Sequence, residues 1–401
     1  MRLLGSAVLL LSLAGAPSAA PLVATTPAKV AAARAAQPWT GVIRSARRPA
    51  VVARHGVTRQ RVGVRALGRN RYRLRAVFPF SGRWQLLSPG RAVGTVKVAP
   101  ARPLASALPT AQAFRLCGGS SPPYPQYALG VDGSLWVGCR ANGTLRRVDP
   151  ATGETRAILG VRGANPYAVA AGLGAVWAAE RGAVVSRVDL QTGRATPAFS
   201  GTGFSYIWTA AGSVWAHDDD ARRLIRYDPS SRRVVAQLPT GDGASALVEQ
   251  GGLIWIVNHR DGTLERIDPA TNAITPLSKL PGDAPERMVF AAGSLWVTGR
   301  GTDLLRVDPA TGAVQATIEI GAGGIDVRAA GGSIWVAAPT TQDDLRGNPF
   351  VERVLRIDSA TNTIVETIRP TGRITVNGTA VTGAACWIAD TEHGRLYRLT
   401  R

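Results

Sequence analysis

The stretch Gly133-Ser134-Leu135-Trp136-Val137 decides the fold, because a glycine turn leading into apolar residues around a tryptophan recurs through the chain. Close versions of it surround six further tryptophans: Trp177, Trp215, Trp255, Trp296, Trp335 and Trp387. Successive tryptophans are 41, 38, 40, 41, 39 and 52 residues apart. A period near 40 residues built from short β runs is typical of a β-propeller, with one four-stranded blade per repeat. The sequence therefore predicts an all-β, seven-bladed β-propeller over residues 113–401.

The last repeat predicts how the ring closes. After Trp387 the sequence provides one more strand, Arg395–Leu399, so the fourth strand of that blade must come from elsewhere. The segment Ala113–Cys117 fits, because it precedes a Pro-rich stretch and a strand in the same way as the fourth strands of later repeats. We expect this early segment to pair with the terminal strand, which closes the ring and removes its free sheet edges.

Two features of the repeat are assigned to the scaffold. An Arg-x-Asp turn recurs with its aspartate at Asp149, Asp189, Asp228, Asp268, Asp308 and Asp358. Aspartate favours such a turn because its side chain bonds to the backbone that follows. The repeated tryptophans are expected to lie between blades, where burying each indole contributes roughly 2–3 kcal/mol. Residues present in nearly every repeat serve the blade and not a single site.

The region before the repeats divides into four segments. Residues 1–20 have the pattern of a secretory signal, in which Arg2 precedes an apolar stretch too short to span a bilayer. Residues 21–37 and 101–112 are Ala/Pro-rich linkers. Residues 38–100 predict a small basic β domain, because Arg71–Phe78 alternates basic and mostly apolar residues. The phrase Phe78-Pro79 followed by Gly82-Arg83-Trp84 before a last strand resembles small Ig-like sandwiches of exported bacterial proteins. We expect an exported protein that does not span the membrane and is secreted, extracellular or periplasmic.

The charge of +20 is placed unevenly along the chain. Nineteen basic residues and no carboxylate precede Asp132, whereas residues 132–401 contain 28 basic and 27 acidic residues. Such asymmetry favours attraction to anionic surfaces. The 44 arginines and 3 lysines also have the appearance of biased codon usage. We therefore expect weak binding of anionic surfaces by the N-terminal domain and no nucleic-acid partner.

Three cysteines in an exported chain make a disulfide plausible. Cys386 lies mid-strand beside Trp387, where a small thiol packs well. Cys117 ends a fourth strand and Cys139 ends a Trp strand, and these ends meet on one face of a propeller. We predict a bond between Cys117 and Cys139, and the alternative is three free thiols.

One face of this topology carries the connections that follow the Trp strands and precede the first strands, and we call it the loop-rich face. Propellers bind ligands where such loops converge on the axis. The candidate ligand-binding residues are Tyr124, Tyr167, Phe204, Tyr206, Asn258, Arg260, Arg300, Asp390 and His393. The candidate catalytic residues are His217, His259 and Glu180, and the candidate cation ligands are Asp218 and Asp220. The histidines lack a short ligand spacing, so we predict no resident cofactor, and Asp218–Asp220 has the alternative of a solvated acidic loop.

The phrase Gly-Ser-Leu-Trp-Val followed by Leu-x-Arg-Val-Asp-Pro-Ala-Thr-Gly resembles the YVTN/NHL-type propellers of exported bacterial proteins, over about 290 residues. It is also similar to the repeats of virginiamycin B lyase-like propellers. The second resemblance implies a seven-bladed, Mg²⁺-dependent lyase that opens streptogramins with a histidine base. Here Val, Ala or Ile replaces the Phe of that family's Trp-Phe-Thr-Glu pattern, and only Glu180 keeps its acidic residue.

Two functions follow from these patterns. The first is a non-enzymatic, exported propeller that binds a small molecule or an envelope component at its loop-rich face. The second is a metal-dependent C–O lyase of the streptogramin-opening kind, with His217 or His259 and Glu180 as the nearest catalytic candidates. A fold shared by many functions does not choose between them.

Overall fold

A computed structural model describes residues 33–89, 91–101, 111–115, 117, 125–131, 134–139, 143–160, 166–180, 184–192, 194–321, 323–324, 326–339, 351–372, 374, 376–382, 385–390 and 394–400. All regular elements in these ranges are β-strands. Correspondingly, the described residues contain no helix with the length and hydropathy needed to cross a bilayer.

The N-terminal module is built from eight strands in two sheets. They are β1 (Ala33–Arg34), β2 (Pro38–Arg44), β3 (Val52–His55), β4 (Thr58–Arg61), β5 (Gly63–Gly68), β6 (Arg71–Val77), β7 (Gly82–Ser88) and β8 (Arg91–Ala99). One sheet has the order β1-β8-β7-β3-β4 and the other β2-β6-β5. Both contribute to one core around Leu74, Phe78 and Trp84. The strand β1 falls within the 21–37 segment that the composition assigned to a linker, because the small apolar Ala33 and Ala35 are buried against this core.

The strands that follow, within the described ranges, form seven four-stranded sheets, numbered sheet 1 to sheet 7 in chain order. Their first strands are β10 (Pro125–Val131), β14 (Pro166–Gly172), β18 (Phe204–Ala210), β22 (Ala244–Gln250), β26 (Pro285–Ala291), β30 (Asp326–Ala330) and β34 (Val376–Thr382). The second strands carry the repeated tryptophans: β11 (Ser134–Cys139), β15 (Ala175–Glu180), β19 (Ser213–Asp218), β23 (Leu253–Asn258), β27 (Ser294–Gly299), β31 (Ser333–Ala338) and β35 (Ala385–Asp390).

The third and fourth strands complete each sheet. The third strands are β12 (Thr144–Val148), β16 (Val184–Asp189), β20 (Arg223–Asp228), β24 (Thr263–Asp268), β28 (Asp303–Val307), β32 (Arg353–Asp358) and β36 (Arg395–Thr400). The fourth strands are β13 (Thr155–Gly160), β17 (Ala195–Ser200), β21 (Arg233–Pro239), β25 (Ala273–Lys279), β29 (Val314–Glu319), β33 (Thr363–Ile368) and, in sheet 7, β9 (Ala111–Arg115).

These sheets are arranged as a closed ring. Each first strand contacts the first strand of the next sheet, and β34 of sheet 7 contacts β10 of sheet 1. The early strand β9 pairs with β36 in an antiparallel register that runs from Arg395↔Arg115 to Leu399↔Ala111. The prediction that an early strand completes the last sheet is confirmed, and this pairing leaves no unpaired edge on the terminal strand.

The repeated tryptophans and arginines form the contacts between sheets. Trp215 is fully buried and pairs across the sheet with Arg226, whose guanidinium lies 5.1 Å from the indole centroid. The same guanidinium donates to Asn272 Oδ1 of sheet 4 at 2.7 Å. Arg306 repeats this arrangement towards Asn362 of sheet 6, at 3.0 Å. The repeated arginine therefore ties neighbouring sheets together, as expected for a scaffold residue.

The disulfide joins the two ends of the ring. Cys117 follows β9 of sheet 7 and is bonded to Cys139 at the end of β11 of sheet 1. Both residues lie in a buried cluster that also contains Trp387. The predicted pairing is confirmed, and Cys386 is the free, buried cysteine expected from its position in the strand.

The N-terminal module contacts the outer edge of sheet 1. The backbone N–H of Ile158 donates to the Thr58 hydroxyl at 2.8 Å, and the Thr58 hydroxyl lies 3.2 Å from the Ile158 carbonyl. The Ser81 hydroxyl donates to Glu154 at 2.7 Å. Val57 packs against the apolar cluster that sheets 1 and 2 form together. The three-stranded sheet β2-β6-β5 takes no part in these particular contacts.

Candidate functional site

The loop-rich face is shaped by a repeated irregularity at the start of the first strands. The ladder between first and second strands shifts register at Ser205, Ser245 and Glu286 in sheets 3, 4 and 5. A bulge re-aims side chains at the end of a strand, and bulges are frequent beside functional sites. Sheets 1, 2 and 7 have the same register shift. In sheets 3 to 5 the bulged residues are polar, and the Ser205 hydroxyl lies 3.0 Å from His217 Nδ1.

Asp218 anchors the loop-rich end of sheet 3. Its fully buried carboxylate accepts hydrogen bonds from the Thr202 N–H at 3.0 Å, the Thr202 hydroxyl at 2.7 Å and the Gly203 N–H at 2.8 Å. Arg223 pairs with it at 3.0 Å. Burial alone would raise the pKa of Asp218, but these hydrogen bonds outweigh it and hold the pKa below its usual value. The carboxylate is therefore occupied in fixing the connection that enters β18.

Arg260 forms an ion-pair cluster across sheets 3 and 4. Its guanidinium donates through both Nη atoms to Asp219, at 2.9 and 2.8 Å, and through Nη1 to Asp242 at 2.8 Å. Arg222 lies 3.8 Å from Asp242 on the other side. The hydrogen bonds to Asp219 and Asp242 raise the pKa of Arg260, and those from Arg260 lower the pKa values of both carboxyls. The cluster fixes the two loops relative to each other.

Both candidate catalytic histidines border this cluster. His217 is 1% exposed, and its Nδ1 lies 3.0 Å from Ser205 Oγ and 3.8 Å from Asp219 Oδ1. Burial lowers the pKa of His217 more than Asp219 raises it, so its imidazole is neutral at pH 7. His259 is half-buried and makes a hydrogen bond through Nδ1 with the Gly243 carbonyl oxygen. The loops thus bring His217 and His259 to one part of the face.

Three buried polar side-chain atoms without a hydrogen-bond partner lie near the loop-rich ends of the second strands of sheets 3, 4 and 5, and others occur elsewhere, such as Arg146 Nε in sheet 1 and Arg353 Nε in sheet 6. The three atoms are His217 Nε2, Asn258 Oδ1 and Thr298 Oγ1, one in each of three neighbouring sheets, and their residues are at most 1% exposed. Thr240 Oγ1, just before sheet 4, is a fourth. Buried polar groups are nearly always paired with protein or water, so each such group calls for a partner. These atoms are available to a ligand or to ordered water.

A cavity of about 100 Å³ adjoins Thr298 at the same end of sheet 5. It is lined by Pro281, Gly282, Asp283, Pro285, Val297, Thr298, Gly299, Gly301, Asp303, Leu305 and Thr317. Gly299 occupies the strand position that Asp218 and Asn258 hold in sheets 3 and 4, and a Cβ there would overlap the Ala284 carbonyl. The volume corresponds to a few water molecules, so it accepts one small polar group of a ligand.

Tyr206 and Arg287 connect sheet 3 to sheet 5. The Arg287 guanidinium lies 5.5 Å from the centroid of the Tyr206 ring, which itself stacks on Trp208 at 5.8 Å. Since β22 lies between β18 and β26 in the ring, this contact reaches past sheet 4. Arg300, another candidate, pairs with Glu286 at 3.1 Å. The candidates in sheets 3, 4 and 5 therefore occupy one continuous sector.

Other candidates have different surroundings. Phe204 is 2% exposed and packs on Phe199 with ring centroids 5.6 Å apart, so its ring belongs to the core. Asp390 is fully buried and lies 3.3 Å from the Tyr397 hydroxyl, which donates to it. Asp220 is exposed. Tyr124 and His393 lie outside the described residues, and for Tyr167 and Glu180 only the backbone strand is described.

The described carboxylates of this face do not fit a bound Mg²⁺. Magnesium takes oxygen ligands from carboxylates and water in octahedral geometry. Asp218 is already bound by backbone donors and Arg223, and Asp219 is bound by Arg260. Throughout the described ranges, no three His, Cys, Asp or Glu side chains are grouped so that they could hold a metal ion.

Comparison with solved structures shows the architecture. A virginiamycin B lyase from Staphylococcus aureus superposes with a TM-score of 0.58 at 16% identity, covering 73% of this chain and 99% of that one. The chain folds as a β-propeller. The U3-55K protein matches it at TM-score 0.57 and 9% identity, over 72% of this chain and 98% of that one. A hydrazine synthase chain of Kuenenia stuttgartiensis matches at a TM-score of 0.56 and 14% identity, covering 70% of this chain and 96% of that one.

These similarities establish the fold alone, because all three identities are low. No protein-family model matches the propeller or the rest of the sequence, and no curated protein matches it either.

Sequence reasoning missed Thr298, although the repeats contain a signal for it. The second residue after the repeated tryptophan is Gly138, Ala179, His217, Val257, Thr298, Ala337 and Ala389 in the seven repeats. Only His217 and Thr298 are polar there. A polar side chain at a position that is otherwise small or apolar marks a departure from the scaffold, and both of these residues carry unpartnered buried atoms.

Proposed function

We propose that this chain is an exported, seven-bladed β-propeller with an Ig-like N-terminal domain, and that it binds a small polar ligand at its loop-rich face above sheets 3 to 5. The observation that carries the proposal is the set of unpartnered polar atoms on His217, Asn258 and Thr298. An unsatisfied buried polar group costs about 1–3 kcal/mol, so we expect each of these three atoms to be bound by a ligand or by ordered water. The predicted secretory signal and the disulfide support export.

The chemistry of these atoms defines the ligand class. Asn258 orients its amide by donating from Nδ2 to Thr263 and Glu265, at 2.9 and 3.0 Å, which leaves Oδ1 as an acceptor. Thr298 can donate or accept through its hydroxyl. The nearby charges of Asp219 and Arg260 already neutralise each other. The site therefore suits a neutral ligand that offers N–H or O–H donors, such as an N-acetylated sugar or a small amide.

Thr298→Val tests this proposal. Valine keeps the shape of threonine and removes a hydroxyl that has no protein partner, so we expect the melting temperature to stay the same or rise. Loss of a hydrogen bond to a ligand should weaken binding about tenfold. Isothermal titration calorimetry with N-acetylated sugars and small amides that raise the melting temperature of the unmodified protein measures this difference.

Thr275→Val is the matched control, because it makes the same chemical change on an exposed residue of β25 at the outside of the ring. It should bind like the unmodified protein. Equal binding by Thr298→Val and Thr275→Val would remove Thr298 from the site. If no compound of the panel binds at all, the assignment to this ligand class is wrong.

The alternative function is a lyase of the streptogramin-opening kind. Buried, neutral His217 beside Asp219 favours it, since a neutral imidazole can take a proton at pH 7. Incubation with virginiamycin B, followed by mass spectrometry and chromatography, tests it. Elimination across the ring ester breaks a C–O bond and forms a carboxylate and a C=C bond, so the product has unchanged mass and altered retention.

If the chain is such a lyase, His217→Ala and His259→Ala should lower this activity at least about a hundredfold, as expected on losing a general base. EDTA treatment tests the family's dependence on a divalent cation. The Arg59→Gln variant, which changes an exposed residue of the N-terminal module, is the control and should retain activity. Absence of the product with the unmodified protein contradicts the alternative and leaves ligand binding as the function.

A further inference from the structure

The outer face of the three-stranded sheet carries five arginines. We call it the basic face, and it comprises Arg44, Arg65, Arg71, Arg73 and Arg75. Two pairs are directly opposite across the strands, since Arg44 pairs with Arg71 and Arg65 pairs with Arg73. The alternate residues of β6 point inward, with Leu74 fully buried. The alternation of a half-buried strand therefore collects the guanidinium groups on one side.

Within the part of the chain that the structure describes, no carboxylate forms an ion pair with this face. The chain has no Asp or Glu before Asp132. Four of the five arginines are exposed and Arg73 is half-buried, and none of their guanidinium groups makes a hydrogen bond or ion pair with the described residues. Like charges directly opposite in a sheet are destabilising. The repulsion between the paired arginines decreases when an anion binds between their guanidinium groups.

The basic face continues into a groove of about 490 Å³. It is lined by Pro38, Trp39, Thr40, Gln60, Arg61, Arg75, Ala76 and Val77. Its polar side chains are the guanidinium groups of Arg61 and Arg75, the Thr40 hydroxyl and the Gln60 amide, and none of them carries a negative charge. A concave groove that extends a row of arginines fits a chain-like anion better than the flat surface of a bilayer.

The spacing of the arginines indicates several anionic groups along one chain. Alternate residues of a strand are about 6.8 Å apart, so Arg71, Arg73 and Arg75 extend over about 14 Å. Guanidinium groups bind phosphate oxygens through two parallel hydrogen bonds. The basic face itself offers no aromatic ring on which a nucleic-acid base could stack, because Trp39, Phe78 and Trp84 are buried in the core and the half-buried Tyr72 packs against that core.

We propose that the basic face binds a linear polymer of phosphate diesters joined by small polyols, with the polymer running along β6 into the groove at Arg61 and Arg75. This site is separate from the loop-rich face of the propeller. It gives the predicted weak attraction of the N-terminal domain to anionic surfaces a defined location and a defined partner chemistry.

The experiment compares two double variants of the full chain. Arg73→Gln/Arg75→Gln removes two charges from the basic face. Arg83→Gln/Lys97→Gln removes two charges from the other sheet, where these exposed residues are paired across β7 and β8. Fluorescence anisotropy measures binding of labelled poly(glycerol phosphate) over a range of salt concentrations. Parallel titrations use single-stranded DNA and vesicles of phosphatidylglycerol.

Arg73→Gln/Arg75→Gln should lower affinity for poly(glycerol phosphate) about tenfold or more and reduce the slope of log affinity against log salt by about one per arginine removed. Its melting temperature should be unchanged or higher, because a like-charge pair has been removed. The control variant should change affinity less than about threefold. Equal losses in both variants would overturn the proposal, as would tighter binding of the DNA or of the vesicles than of the polymer.

Discussion

Asp218→Ala is expected to destabilise the protein by about 3–4 kcal/mol. The substitution leaves two backbone N–H groups, at Thr202 and Gly203, and the Arg223 guanidinium without their acceptor. Such a loss is large because the carboxylate is fully buried. Urea unfolding followed by tryptophan fluorescence measures the change in free energy of unfolding.

Asp220→Ala is the control, since Asp220 is two residues away and exposed. It should change the free energy of unfolding by less than about 0.5 kcal/mol. Asp218→Asn keeps one acceptor oxygen and should lose less than Asp218→Ala, about 1–2 kcal/mol. Equal stability of Asp218→Ala and the unmodified protein would show that the hydrogen bonds to this carboxylate do not hold the loop.

The pH dependence follows from the sign of the pKa shift. The folded pKa of Asp218 lies below its unfolded value of about 3.9, so its contribution to stability is present above about pH 4. That contribution is lost as the pH falls through the folded pKa. The difference between the unmodified protein and Asp218→Asn should therefore be largest near neutral pH and shrink in acid. A difference that grows below pH 4 contradicts the assignment.

Removing the disulfide should cost about 3 kcal/mol, because Cys117 and Cys139 close a loop with a sequence separation of 22. The bond joins sheet 7 to sheet 1 at the point where the ring closes, so its loss affects the sheets that hold the two ends together. Cys117→Ser/Cys139→Ser should therefore unfold at lower urea concentration than the unmodified protein. Reduction of the unmodified protein with dithiothreitol should produce the same shift.

Cys386→Ala is the control for this experiment. Burial raises the pKa of the Cys386 thiol to about 12, so it stays protonated and unreactive near neutral pH. The variant should still lose stability when dithiothreitol is added, because its disulfide is intact. A double variant as stable as the unmodified protein would show that the β9–β36 ladder alone is enough to hold the ring closed.

The scaffold could be predicted from the sequence because its signals repeat. The period of the tryptophans, the glycine turns before them and the Arg-x-Asp turns are local patterns, and each has a direct physical cause in strand or turn geometry. The pairing of Ala111–Arg115 with Arg395–Thr400 was predictable for the same reason. The last repeat lacks its fourth strand, so the strand that pairs with Arg395–Thr400 has to come from another part of the chain. The Cys117–Cys139 bond followed from where those strands end.

The site was predicted less completely because it depends on which side chains are already engaged. Sequence placed His217, Asn258 and Arg260 on one face, but Arg260 proves to be bound by Asp219 and Asp242. Phe204 lies in the core, where its ring packs against Phe199. Thr298 gave only a weak signal.

The amino-acid sequence by itself determined the repeat, the strand order and the closure of the ring, because periodic burial and turn formation depend on residues close together in the chain. Tertiary structure alone decided which polar atoms have partners. The donors that satisfy Asp218 and the space left beside Gly299 come from separate strands and loops. Hydrogen-bond satisfaction is a property of atoms within about 3 Å of each other, and that distance is set by packing and not by sequence separation.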